Sequence, residues 1–108
     1  MEDISTQFEA NGKTYEVKYS FKRIEMYEAS HRPVMASFAQ NGGSFGLAEL
    51  RDLVAYGLMV EGGGYVSPQQ GRAMAENLID ENGYLAVFQT VAAALERDCG
   101  FFFKTQSA

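Results

Sequence analysis

The chain has 108 residues, 46% of them hydrophobic, with fourteen acidic and nine basic side chains giving a formal net charge of -5. That length suits one domain and is too short for two. The charge repels phosphate backbones, which argues against nucleic acid as a partner. A lone cysteine, Cys99, excludes an internal disulfide, and no apolar run approaches the roughly 20 residues that span a bilayer. Met1-Glu2-Asp3 opens no secretory signal, so the expectation is a soluble cytoplasmic protein without a membrane role.

The first element is a hairpin. Asn11-Gly12 suits the positive backbone angles of a type I′ turn and separates two alternating segments. A two-residue turn pairs Ala10 with Lys13, Phe8 with Tyr15, Thr6 with Val17 and Ile4 with Tyr19 on one face. It places Ser5 with Lys18, Gln7 with Glu16 and Glu9 with Thr14 on the other. Ser20 then caps a helix, with Tyr19 and Ile24 spaced as a hydrophobic staple. Phe21, Ile24, Tyr27 and Glu28 continue it at helical spacing. Lys18, Lys22 and Arg23 gather positive charge at this junction and read as a solvated face.

Pro33 ends that helix or opens a short second one whose buried side is Val34, Met35 and Phe38. After the loop Asn41-Gly42-Gly43-Ser44, Leu47, Leu50, Leu53, Val54 and Leu58 recur as one face of a core helix. Gly62-Gly63-Gly64 breaks the pattern. Ser67-Pro68-Gln69-Gln70 then reads as N-cap, first-turn proline and capping-box glutamine. Met74, Ala75, Leu78 and Ile79 form the next stripe, and Asn82-Gly83 stops it. The last helix places Tyr84, Leu85, Phe88, Val91, Ala92 and Leu95 on one side and closes at Gly100.

The expected fold is therefore α+β: an N-terminal β-hairpin followed by a cluster of four to five helices. Leu50, Val54, Leu78, Phe88, Val91 and Leu95 should be central. Residues 1–104 form one globular domain and 105–108 a mobile tail.

Few residues suggest chemistry. Gly42-Gly43-Ser44-Phe45-Gly46 matches the G-x-S-x-G string of serine hydrolases, but that elbow needs a strand before Ser44 and a histidine after it. The single histidine, His31, comes earlier. Glu61-Gly62-Gly63-Gly64 lacks the lysine of a phosphate cradle and reads as a connector. One histidine and one cysteine cannot build a nitrogen and sulfur metal site, and Asp80-Glu81-Asn82-Gly83 lacks the spaced ligands of a calcium loop. His31 has no acid positioned by sequence to orient it and reads as a surface or turn residue. Cys99 reads as a small buried hydrophobe. No catalytic residue, metal or cofactor is expected.

Phe101, Phe102 and Phe103 are harder to place, since three adjacent rings cannot share one face of a strand. Either they tuck in to close the core, or they form a contact for a partner or a second subunit. They are the candidate partner-binding residues.

Taken together, the chain resembles the short tail assembly chaperones of long-tailed bacteriophages and prophages, including those related to gene transfer agents. The similarity runs from about Phe8 to Lys104. It rests on Asn11-Gly12-Lys13-Thr14-Tyr15 and the helix after it, on Leu47-Ala48-Glu49-Leu50-Arg51-Asp52-Leu53 leading to Gly57-Leu58, and on the helix from Tyr84-Leu85 through Ala94-Leu95. The resemblance implies a non-enzymatic binder that keeps a tape-measure protein soluble, recruits tail tube protein, self-associates, and is absent from the finished virion. Members of that family are often made in two forms, the longer one by ribosomal frameshifting, and the polar ending after Lys104 would suit the short form. The alternatives are a regulatory or adaptor module of a mobile element and, more remotely, a hydrolase using Ser44.

Overall fold

The computed structural model describes residues 6–10, 12–60 and 62–102. Ile4, Ser5, Asn11, Glu61, Phe103 and the tail 105–108 lie outside the described residues, and with them the expectations that named them.

The hairpin forms in the expected register. Strands β1 (Gln7–Ala10) and β2 (Lys13–Val17) pair Gln7 with Glu16, Phe8 with Tyr15, Glu9 with Thr14 and Ala10 with Lys13. The Val17 N–H donates to the Thr6 carbonyl at 2.8 Å, carrying the ladder one pair further. Gly12 has φ +75°, the positive angle that the turn requires of its second residue. Phe8 and Val17 are buried while Gln7 and Glu9 are exposed, so turn chemistry and hydrophobic alternation select the same register.

Five helices follow among the described residues: α1 (Phe21–Glu28), α2 (Val34–Gln40), α3 (Leu47–Gly57), α4 (Pro68–Asn82) and α5 (Tyr84–Asp98), then a 3₁₀ turn at Gly100–Phe102. The α+β expectation is met. Ser20 caps α1 by accepting the Arg23 N–H at 3.1 Å, and Ser67 caps α4 by accepting the Gln70 N–H at 3.3 Å, with Pro68 in the first turn. Pro33 precedes α2 as expected. The start of α3 holds half a capping box: Gly46 has no side chain to offer, but its N–H donates to Glu49 Oε1 at 3.0 Å.

The structure adds a strand that helical spacing concealed. Leu58 does not extend α3. It opens β3 (Leu58–Val60), which pairs antiparallel with β2, Val17 opposite Leu58 and Tyr15 opposite Val60, so that the sheet order is β1-β2-β3. Val54 and Leu58 are four residues apart, and a helix or a helix-to-strand switch both bring Leu58 inside. Periodicity could not separate them.

The core lies between the sheet and α3, α4 and α5. Leu50, Leu53, Val54, Leu78, Val87 and Val91 are inaccessible or nearly so. At the seam of α3 and α4 a Cβ on Gly71 would stand 2.8 Å from the Ala55 carbonyl oxygen and 2.9 Å from its Cα, an approach only glycine permits.

Three expected faces need correction. Phe21 is 61% exposed, Leu47 62% and Leu85 63%. Each is the first or second residue of its helix and lies beyond the end of the core. The buried stripe of α5 is Val87, Thr90, Val91, Ala94 and Leu95, turned roughly 90° from the expected one at 100° per residue. Tyr84 and Phe88 remain as a half-buried stacked pair, ring centres 6.0 Å apart.

Candidate functional site

The residues weighed for chemistry in the sequence, Ser44, Cys99 and His31, lie apart from one another or are committed to structure. Ser44 lies in a loop preceded by a helix, and its hydroxyl donates to the Asn41 carbonyl at 3.0 Å. Cys99 is fully buried, and burial together with the nearby Asp98 carboxylate pushes its thiol up to about 11. The thiolate needed for reactivity is thereby suppressed. Among the described residues no group of three His, Cys, Asp or Glu side chains is placed to hold a metal ion, and no helix is long and apolar enough to cross a membrane.

His31 is not the free turn histidine the sequence suggested. Its Nε2 lies 2.8 Å from Asp52 Oδ2, and its Nδ1 lies 2.9 Å from the Tyr27 carbonyl oxygen and 3.0 Å from the Ser30 hydroxyl. The order Ser30, His31, Asp52 has the connectivity of a serine relay, which makes its hydrogen bonding decisive. Both ring nitrogens face oxygens that only accept, Nδ1 the Tyr27 carbonyl and Nε2 the Asp52 carboxylate, and Nδ1 also faces the Ser30 hydroxyl, so the imidazole is spent on joining these three groups. Asp52 is committed as well, receiving Arg51 Nε at 2.8 Å and facing Arg72 Nε at 3.3 Å. Burial acts to raise the Asp52 pKa, but hydrogen bonds from Arg51 and His31 and the charges of Arg51 and Arg72 outweigh it, and the carboxyl sits below its ordinary value. The group is a clamp joining the end of α1 to α3 and α4.

Arg23 is a second correction. It does not share a solvated face with the exposed Lys18 and Lys22. Its Nε donates to the Tyr56 carbonyl at 2.7 Å, and its guanidinium lies 4.1 Å from the centre of the Tyr65 ring. Burial lowers its pKa from the ordinary arginine value.

Exposed aromatic surface gathers at one pole, where the end of the sheet, the start of α1 and the end of α5 converge. Tyr19 anchors that pole from within: it is buried, its hydroxyl donates to the Leu53 carbonyl at 2.7 Å and its N–H donates to Asp98 Oδ2 at 2.9 Å. Arg97 straps the end of α5 to β2 through Glu16 at 3.1 Å and the Val17 carbonyl at 2.9 Å. On this frame the 3₁₀ turn carries Phe101 outward and packs Phe102, half-buried, against the core. Phe101 is 44% exposed, with its ring centre 5.3 Å from that of Phe21 and 4.8 Å from that of Phe102.

Of the three candidate phenylalanines, then, Phe102 tucks inward, Phe101 faces solvent, and Phe103 lies outside the described residues. The exposed partner, Phe21, was missed because helical spacing assigned it to the core side. Its rotational offset from Tyr27, about 120° at 100° per residue, was the signal available. Comparison of the chain with protein-family models, with curated proteins and with solved structures gives no match.

Proposed function

We propose that this protein is a phage tail assembly chaperone, a non-enzymatic binder that shields apolar segments of a tape-measure protein and brings them together with tail tube protein. The observation that carries this reading is the aromatic pole. Phe21 and Phe101, from the two ends of the described helices, meet in solvent at a ring separation of 5.3 Å on a rigid, hydrogen-bonded frame. Exposed paired aromatics are costly to solubility unless they serve a contact, and rings held in place lose little freedom on binding. The sequence resemblance to short tail assembly chaperones supplies the identity of the client; the pole supplies a surface suited to one.

The test is co-expression with fragments of a tape-measure protein. The parent should raise the soluble yield of a fragment and co-purify with it. A Phe21→Ser, Phe101→Ser variant should keep the parent's unfolding midpoint and lose both effects. Unchanged rescue by the variant, or a gene setting that lacks tail tube and tape-measure neighbours, would overturn the reading. Ser44→Ala should leave the rescue intact, since Ser44 serves only its own loop.

A further inference from the structure

A second apolar surface lies at the other end of α5. The Tyr84 hydroxyl donates to the Phe45 carbonyl at 2.5 Å and accepts the Phe45 N–H at 3.3 Å, which sets the start of α5 beside the start of α3. Leu47 and Leu85 follow these anchors and are 62% and 63% exposed. From Leu47 a shallow groove of about 590 Å³ runs between α3 and α4, lined by the apolar Ala48 and Ile79 and by Arg51, Glu76 and Asp80. The fifteen residues of α5 span about 22 Å at 1.5 Å per residue, so this groove is well separated from Phe101.

The charge around the groove is net negative. Both arginines of α3 and α4 are directed to Asp52, Arg51 Nε at 2.8 Å and Arg72 Nε at 3.3 Å, and so is His31 Nε2 at 2.8 Å. Arg51 reaches Glu76 only through Nη1, at 3.5 Å. Glu49 is spent on the start of α3, where it accepts the Gly46 N–H at 3.0 Å and the Asn41 amide at 3.2 Å. Arg32, the next cation along the chain, is bonded to Gln40. Asp80 and Glu81, exposed in the last turn of α4, make no ion pair among the described residues. No lysine lies on α3 or α4, and α5 carries no charge before Glu96. Three carboxylates, Glu76, Asp80 and Glu81, are thus answered at this end by part of one guanidinium.

We infer that the groove is a docking site for a basic amphipathic helix of a partner protein, its apolar stripe laid on Leu47, Ile79 and Leu85 and its lysines or arginines set against Glu76, Asp80 and Glu81. Charge selects the sign of the partner, because an acidic segment would meet like charge along the rim. The same rim repels nucleic acid and anionic membrane surfaces. Backbone chemistry selects the conformation. The groove is bordered by two helices, whose backbone groups are already paired, so an extended segment would find no strand edge to complete its own N–H and C=O groups. A helix satisfies its backbone internally and presents apolar side chains at i, i+3, i+4 and i+7. The exposed apolar area is small against the roughly 800 Å² per partner of a stable complex, so the contact is transient and charge governs its selectivity. This surface goes beyond the proposed function: it stays open while the aromatic pole holds a client.

Fluorescence anisotropy with a labelled synthetic helix of leucines and lysines at that spacing should show saturable binding that weakens as salt is added. A peptide with the same leucines and glutamates for lysines should bind about tenfold more weakly or worse. A proline in the middle turn of the leucine and lysine peptide should abolish binding. Asp80→Lys combined with Glu81→Lys should reverse the preference between the two peptides. Lysine near the end of a helix is favourable, so the unfolding midpoint of that variant should not fall. Leu47→Ser combined with Leu85→Ser should weaken binding of either peptide. The Phe21→Ser, Phe101→Ser variant should bind as the parent does, which lets this contact and the proposed client contact fail separately. Absence of saturable binding by the parent, equal binding of the two peptides, or a lysine variant that keeps the parent's preference would overturn the proposal. So would a fall in the parent's own mass on Leu47→Ser with Leu85→Ser in the absence of peptide, which would give the groove to a second copy of the chain.

Discussion

The seam between α3 and α4 and the pole at Phe21 and Phe101 are both built from apolar side chains, yet they differ in how those side chains are enclosed. At the seam the backbones approach until the Gly71 Cα hydrogen faces the Ala55 carbonyl, and Leu53, Val54, Ala75 and Leu78 have almost no accessible surface. At the pole two rings cover one another on one side only. The difference is one of position along the helices. Side chains midway along α3 have β2, α1, α4 and α5 around them, whereas Phe21, first in α1, meets Phe101 of the 3₁₀ turn and stays 61% exposed. Equal hydrophobicity thus gives stability in one region and exposed apolar surface in the other.

That contrast can be broken at several points. The largest effect should come from Tyr19→Ala, directly beneath the pole, where a buried ring and its hydrogen bond to Leu53 are lost. A cost of about 3 to 5 kcal/mol is expected, read as a shift in denaturant midpoint. Gly71→Ala comes next. The better helix propensity of alanine is worth up to about 1 kcal/mol, but the new Cβ meets Ala55 backbone rather than a movable side chain. A net loss of about 1 to 2 kcal/mol follows, and a gain in stability would mean that the seam is looser than its geometry indicates.

Acid sensitivity should follow the carboxylates that hold both regions. In Asp52 and in Asp98 burial acts to raise the pKa. In Asp52 the hydrogen bonds of Arg51 and His31 prevail, and in Asp98 those of Arg97 and the Tyr19 N–H, so both carboxyls lie below their ordinary values. A lowered folded-state pKa stabilises fully above the unfolded-state value, about 3.9, and that stability is lost as pH falls through the folded-state value. Unfolding free energy should hold steady from neutrality down to about pH 5 and then decline. Asp52→Asn should lower the neutral-pH midpoint and flatten the decline; an acid profile identical to the parent's would show that the His31 clamp does not carry it. The smallest effect belongs to Phe21→Ser, within about 0.5 kcal/mol of the parent. A loss comparable to that of Tyr19→Ala would make the pole part of the core.

Much of this architecture was legible in the sequence. Asn11-Gly12 with flanking alternation determined the hairpin register, Ser20 and Ser67-Pro68 marked two helix starts, and the leucine spacing marked α3 as a core helix, because these signals act through neighbours within about four residues. His31 with Asp52 was not legible, since the two stand twenty-one positions apart and become partners only when α1 folds back on α3. A partial clue lay in the unbroken apolar run Leu53-Val54-Ala55-Tyr56-Gly57-Leu58-Met59-Val60. A segment apolar all round is buried all round, so the acid at its edge required a partner. The third strand was hidden in the same run.

The sequence by itself determined which residues turn, which begin helices and, for α1 to α4, which flank of each helix is apolar, since turn angles, caps and a 3.6-residue period are local properties. The tertiary structure alone decided where the core ends along each helix and how far α5 is rotated. Phe21, Leu47 and Leu85 each lie near an apolar stripe and still face water, because the period of a helix gives the direction of a side chain and not whether another element stands there to cover it.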